Sequence, residues 1–288
     1  MAKTPRTLRL SFPQWQGGDI TGYRLGAMVL NQLLPAPGHM MSEAVAVPLA
    51  PAGRTGLLAS DEENLTSSYG QVHAQLQQAV NIITRADPDR ILTIGGDCAV
   101  SIAPFAWLAS KYPEFGVVWV DAHPDMWAAD AQPHANARAA SILSGQDATE
   151  LGTLLPTTVP ADKFVWVGTR AEVVPQLVDL DRVWSNRVRV DEVETSPRTV
   201  VERLRRKGVR QIAVHFDLDV LDADEFHGVA VGEDAGMTWK GIAALLQSLD
   251  EEFELVGLTV AEHIPEGLET LREIISSTSL IRPSSDAH

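Results

Sequence analysis

The chain has 288 residues, 45% of them hydrophobic, enough to bury the core of one large α/β domain or of two ordinary ones. Its net charge of −15 offers no electrostatic footprint for nucleic acid or for an anionic membrane surface, and neither partner is expected. A single cysteine, Cys98, excludes an intramolecular disulfide framework, and no signal-peptide apolar region or run of about 18 apolar residues is seen, so the expectation is a soluble, cytoplasmic protein.

Short apolar, β-branched runs alternate with longer amphipathic stretches, the pattern of βα units around a mostly parallel sheet. In chain order, strands are expected at 8–12 and 44–47, followed by a helix at 68–85. A strand at 90–94 leads to a helix at 100–111, and a strand at 116–121 leads to an Ala/Pro/Asp-rich loop over 128–138. Strands at 164–167 and 188–190 precede a helix at 199–207, which begins after the capping pair Ser196 and Pro197. The strand at 211–216 opens onto a second loop, 223–236, carrying Gly228, Gly232 and Gly236. A helix at 239–249, a strand at 255–260 and a helix at 268–277 follow. The runs VVWV (117–120) and IAVHF (212–216) are apolar almost without a break, as central parallel strands covered on both faces are. Neither loop reads as a linker, because regular elements resume directly after it. One domain over 1–288 is the simpler expectation.

Three of these strands run into polar motifs. ILTI meets Gly95-Gly96-Asp97-Cys98, VVWV meets Asp121-Ala122-His123-Pro124-Asp125, and IAVHF meets Asp217-Leu218-Asp219-Val220-Leu221-Asp222. In open α/β sheets ligands sit outside the carboxyl ends of the strands, so three such ends can converge on one site. Alternation along an extended segment would put Asp121, His123 and Asp125 on one side, and likewise His215, Asp217 and Asp219. Carboxylates gathered in this way repel one another and are costly to bury without compensation. Two divalent cations would supply it. Oxygen-rich ligation with one or two imidazoles suits manganese first, with zinc, iron or cobalt behind it, and a metal pair sharing carboxylates can lower the pKa of a bridging water. A lone D-x-D at a strand end is more often a turn or a helix cap. Together with D-x-H-x-D and an upstream GGD, each behind a buried-looking strand, the metal reading is favoured.

GGDC-AVS, DAHPD and HFDLDVLD resemble the three signatures of the ureohydrolase (arginase/agmatinase) superfamily, usually GGDHS, DAHxD and S-x-D-x-D-x-x-D-P. The resemblance implies a three-layer α/β/α fold around a mostly parallel sheet of about eight strands. It also implies a homo-oligomer and a two-manganese site in which a metal-bridging hydroxide attacks the planar carbon of a small cationic guanidino or amidino substrate. Carried over position by position, it makes Asp121 and Asp217 bridge both metals. Asp125 and Cys98 would complete one, and His123 and Asp219 the other. Glu262, in LTVAEHIP, would grip the guanidinium.

The departures from the signatures bear on metal and substrate. Cys98 stands where the first motif has histidine. As a thiolate it is a softer donor that weakens manganese preference, admits zinc and is open to oxidation; as a neutral buried thiol it leaves that metal position weak or empty. A branch of the superfamily that hydrolyses N-hydroxyarginine also carries cysteine here. Arginases place acidic residues three and six positions after the VGxR arginine to hold the substrate's α-amino group. Arg170 is followed there by Val173 and Gln176, with only Glu172 acidic nearby, which argues against free L-arginine. For a proton shuttle, His134 and Asn136 are the nearest candidates, and an exposed loop histidine is the plainer reading of His134. Two readings fit His215: a residue that orients a ligand carboxylate or contacts the bound water, and a core histidine bonded to backbone. His263, adjacent to Glu262, points the other way in a strand. A non-catalytic binding or regulatory module also fits Cys98 and the lost α-amino readers, and an amide hydrolase of the deacetylase type fits the motif set less well.

Overall fold

The computed structural model describes residues 5–48, 61–170, 176–229 and 234–282. Glu172, Val173 and Gly232 lie outside them. The strands are β1 (Thr7–Phe12), β2 (Met40–Ala44), β3 (Arg90–Gly95), β4 (Phe115–Val120), β5 (Phe164–Val167), β6 (Arg187–Val188), β7 (Gln211–Asp217) and β8 (Glu254–Ala261). The helices are α1 (Gly22–Leu33), α2 (Asp61–Ala86), α3 (Ile102–Lys111), α4 (Ala139–Leu143), α5 (Glu150–Thr153), α6 (Leu180–Asn186), α7 (Val190–Thr195), α8 (Arg198–Arg206), α9 (Trp239–Glu252) and α10 (Leu268–Ser276).

All pairings in the eight-stranded sheet are parallel, in the order β2-β1-β3-β8-β7-β4-β5-β6. Successive residues of the apolar strands enter opposite layers, as the period of two requires. Trp119 of β4 and Trp166 of β5 pack with Leu76, Ile83 and Phe105 from α2 and α3. Val118, Val165 and Val214 pack on the other face with Leu204, Leu245 and Leu271 from α8, α9 and α10. This is a three-layer α/β/α arrangement. Each fully buried large apolar side chain is worth about 1.5–3 kcal/mol, so the two apolar layers carry the stability and can hold a costly polar site at their edge.

The chain order places that site. The last two strands, β7 and β8, insert between β3 and β4, so β3, β8, β7 and β4 stand side by side. The carboxyl ends of these four neighbours carry GGDC, Glu262, HFDLD and DAHPD. No helix among the described residues is long and apolar enough to cross a membrane.

Several elements differ from expectation: the strand expected at 188–190 is Arg187–Val188, with Val190 opening α7, and the short helices α4 to α7 were not singled out. The second strand is Met40–Ala44, not 44–47, and it pairs with Thr7–Ser11 of β1. It is an edge strand buried on one side at most, so apolarity is a poor guide to its position. The first helix, α1, has no counterpart in the sequence reading, because its N-cap Thr21 makes no side-chain capping bond and no acid marks its first turn.

Candidate metal centre

Each of the three motifs leaves its strand through the same device. The first aspartate accepts a hydrogen bond from the backbone N–H two residues on: Ala99 N to Asp97 Oδ1 at 3.1 Å, His123 N to Asp121 Oδ1 at 2.6 Å, and Asp219 N to Asp217 Oδ1 at 2.7 Å. Such Asx turns offer the backbone an alternative to the sheet ladder. After two of them the chain enters a 3₁₀ turn, at Cys98–Ser101 and at Leu218–Val220. The motif side chains are therefore brought together by tight turns, not by extended alternation. Asp125 reaches the site from a left-handed conformation, φ +50°, and Glu262 does so at +56°. Backbone of this kind costs about 1–3 kcal/mol for a non-glycine residue and persists only where its surroundings impose it.

The side chains converge in three overlapping groups whose donor atoms lie within 4.8 Å of one another: Cys98, Asp121, Asp125 and His215; Cys98, Asp217 and Glu262; and Asp121, His123 and Asp219. All are buried except His123, whose side chain is 34% exposed and marks the mouth of the site. The Cys98 thiol donates to Asp217 Oδ2 at 2.9 Å and to Glu262 Oε1 at 3.2 Å. His123 Nδ1 lies 2.8 Å from Asp219 Oδ2, whose other oxygen accepts from Ala122 N at 3.1 Å. Asp121 Oδ2 accepts from the Trp119 indole at 3.0 Å.

Burial, followed by the charge of neighbouring acids, raises the carboxyls of Asp125 and Asp217 well above the usual range and also lifts those of Asp219 and Glu262. Burial, Asp217 and Glu262 push the Cys98 thiol up as well. Asp121 is the exception: burial pulls upward, but His123 and His215 outweigh it and keep the carboxyl below its ordinary value. Asp97, buried beneath the cluster and bonded by Gly17 N, is pushed up to about 7 by burial and by Glu262. Two buried atoms, Asp125 Oδ2 and His215 Nε2, have no hydrogen-bond partner among the described residues. Acids that resist ionisation, bare donor atoms aimed at one point and N, O and S donors together fit divalent cations.

A family model for the arginase family matches residues 31–278. The chain belongs to the arginase family. It is 27% identical to the hepatic arginase of Aquarana catesbeiana over 234 residues, which is 72% of this chain and 67% of that protein. It is 23% identical to the arginase of Staphylococcus aureus (strain MRSA252) over 189 residues, which is 60% of each chain. The fold is shared with Bacillus subtilis arginase (TM-score 0.75, 18% identity, 97% and 98% of the two chains). It is also shared with the proclavaminate amidino hydrolase of Streptomyces clavuligerus (TM-score 0.64, 19% identity, 96% and 91%).

Within this arginase-family site, residues outside the signatures complete the polar shell. Glu262 accepts from the Tyr23 hydroxyl at 3.0 Å and from Asn136 Nδ2 at 3.0 Å. Asn136 is thus the residue of the 128–138 loop whose side chain reaches the carboxylates. His134, two positions earlier, is half-buried, and its backbone N–H donates to Gln132. Arg170 donates to the carbonyls of Asp219 and Val220, at 2.9 and 3.2 Å, while its own N–H binds Ala122 O, so it ties the β7 tip to the β4 tip. Gln176 is exposed. His263 is fully buried and held neutral, its pKa pushed down to about 4 by burial; its carbonyl lies so close to α1 that only glycine, Gly26, fits opposite. Tyr23, Trp119 and Ser101 were not legible as site residues. Ser101 had one weak signal, its place three residues after Cys98 on a helical turn.

Proposed function

We propose that this chain is a two-metal amidinohydrolase that cleaves a guanidino or amidino compound other than free L-arginine. The observation that carries the reading is the buried gathering of Asp121, Asp125, Asp217, Asp219 and Glu262 at three neighbouring strand ends, with Cys98 from a fourth and donor atoms left bare among them. By the resemblance, Asp121 and Asp217 would be shared between two ions, with Cys98 and Asp125 serving one and His123 and Asp219 the other; of the two shared acids, Asp121 falls in two of the donor groups and Asp217, with Cys98 and Glu262, in one. When bound, a pair of divalent cations, manganese or zinc, supplies a water activated at neutral pH and polarises the carbon to be attacked. The chain itself does the rest. Glu262 carries the charge that pairs with a planar cation, and Tyr23 and Asn136 fix the direction of its carboxylate. Burial of the acids excludes bulk water and strengthens the field that draws a cationic substrate in past His123.

The substrate's other end is read differently from that of L-arginine. Gln176, at the second of the two offsets after Arg170, is a neutral, exposed residue and offers no charge to an α-ammonium group. The test is a panel of guanidino compounds (arginine, N-hydroxyarginine, agmatine, guanidino acids) incubated with the manganese- or zinc-loaded protein, with release of urea or its analogue measured. Turnover of at least one member, with L-arginine far behind, is expected. A protein that carries no metal and turns over none of them is a binding module instead.

A further inference from the structure

His215 is the residue whose position the proposed reaction leaves unexplained. It lies on β7, two residues before Asp217, and is fully buried. Its ring is clamped twice. Nδ1 lies 2.8 Å from Ser101 Oγ, and the ring stacks on Trp119 with centroids 3.8 Å apart. The ring shares one group of donors with Cys98, Asp121 and Asp125, and its Nε2, on the side of Asp121, makes no hydrogen bond among the described residues. Its distance to Asp121 Oδ2 is 3.7 Å, too long for a hydrogen bond. Leaving a ring nitrogen bare in the interior costs about 1–3 kcal/mol; the buried His263 also carries bare nitrogens, but His215 alone of the two belongs to a group of donor atoms that could hold a metal. Two ligand atoms each about 2.0–2.1 Å from one ion in tetrahedral geometry stand about 3.3–3.5 Å apart, close to the separation seen. Donated by Nδ1 to Ser101 Oγ, the contact between them would be the outer hydrogen bond that metal-binding histidines make to fix tautomer and ring plane.

The two clearest departures from the signatures meet at this point. Cys98 stands where the first motif has histidine, and His215 stands where the third has serine. In the fold they face one another across a single group of donors. We infer that His215 Nε2 is a metal ligand, and that Cys98, Asp121, Asp125 and His215 form a mixed N, S and O position selective for a zinc-class ion over manganese. The imidazole absent from the turn after β3 is supplied from β7 instead, and the thiolate adds a soft donor. Ser101, on the same 3₁₀ turn as Cys98, is the positioning residue for the ring. This inference rests on the two-metal reading and sharpens it at one of the two positions.

The test uses the full chain, stripped of metal and reloaded with zinc, manganese or cobalt(II). Affinity is read by competition with a chelating dye, stoichiometry by elemental analysis after desalting, and ligand identity from the cobalt(II) absorption spectrum. Wild type should take up two ions, hold zinc over manganese at one position, and show a thiolate-to-cobalt charge-transfer band that Cys98→Ser removes. His215→Ser should weaken zinc at that position more than about 100-fold and alter the visible cobalt bands; Ser101→Ala should weaken it about 10- to 100-fold, as loss of an outer-shell partner does. His215→Gln keeps the volume and a hydrogen-bonding side chain, and should lose zinc as His215→Ser does. Far-ultraviolet circular dichroism of the metal-free variants checks that they fold. The double variant Cys98→His/His215→Ser should shift preference toward manganese. Two ions bound by wild type, with zinc affinity and cobalt spectrum unchanged in folded His215→Ser or His215→Gln, would overturn the inference alone. Manganese preferred over zinc at both positions of wild type would overturn it too. A wild type that binds no metal would overturn the two-metal reading with it.

Discussion

The metal-free protein should lose stability as pH rises, and metal should reverse that trend. Asp97 sets the scale. Its carboxyl titrates at about 7 in the folded chain, raised by burial and by Glu262, against an ordinary 3.8. The folded state therefore holds this proton more tightly than the unfolded state does. The stability linked to it is complete below the ordinary value and is lost as pH climbs through about 7. Over that interval a single such group removes about 4 kcal/mol, from 1.36 kcal/mol per pH unit. Asp125, Asp217, Asp219 and Glu262 are raised as well and act in the same direction; Asp121, lowered by its two histidines, acts only below its ordinary 3.8, and His263, pushed down to about 4 by burial against an ordinary 6.5, opposes them at the acid end of the range. Native domains are stable by only about 5–15 kcal/mol, so the effect is large. At about 2–4 °C per kcal/mol, Asp97 alone moves the melting temperature by on the order of 10 °C. Bound cations need these acids ionised, so their affinity grows with pH and the loaded protein gains stability where the empty one loses it. Thermal melts from pH 5 to 8, with excess chelator and with saturating zinc, should give curves of opposite slope. Asp97→Asn should flatten the chelated curve. A metal-free melting temperature that stays level or rises between pH 5 and 8 would refute the reasoning.

Three further outcomes are expected. Cys98→His should tighten manganese binding, measured by calorimetry, because a neutral imidazole is less soft than a thiolate; unchanged or weaker binding would mean that the thiol is no ligand. Tyr23→Phe removes a hydrogen bond to a charged group, worth about 1.5–3 kcal/mol, and should raise KM roughly tenfold or more with a smaller change in kcat. Gly26→Ala drives a methyl into the His263 carbonyl and should cost about 1–3 kcal/mol of stability by denaturant titration. The same change should weaken substrate binding, because α1 also carries Tyr23 and must shift.

The central strands could be read from the sequence because parallel strands covered on both faces appear as unbroken apolar runs, and VVWV and IAVHF are such runs. The motif residues could be read because acids directly behind such strands are costly to bury unless something compensates their charge. What adjoined them could not. Tyr23 is separated from Glu262 by 239 positions and meets it only because β8 inserts beside β3 and α1 crosses their ends. His134 and Asn136 occupy one irregular loop without periodicity, so nothing local decides which of them turns inward; the fold turns Asn136. For β2, exposure on the sheet edge erased the apolar signal.

The spacing of the motifs shows how the expected convergence at neighbouring strand ends can follow from an incorrect geometry, even though His215, Asp217 and Asp219 fall in three different donor groups. Strand alternation places residues i and i+2 on one side, and so does an Asx turn, in which the side chain at i bonds the N–H at i+2. Asp97, Asp121 and Asp217 all use the second device. The two differ in what they require of the first residue. Alternation would accept any ligand there, whereas the turn needs an oxygen acceptor one carbon beyond Cβ, which aspartate or asparagine provides and glutamate places too far out. The D-x-H and D-x-D spacings therefore report a turn first. Burial at the tips of β3, β8, β7 and β4 is what converts such turn residues into a cluster that needs cations.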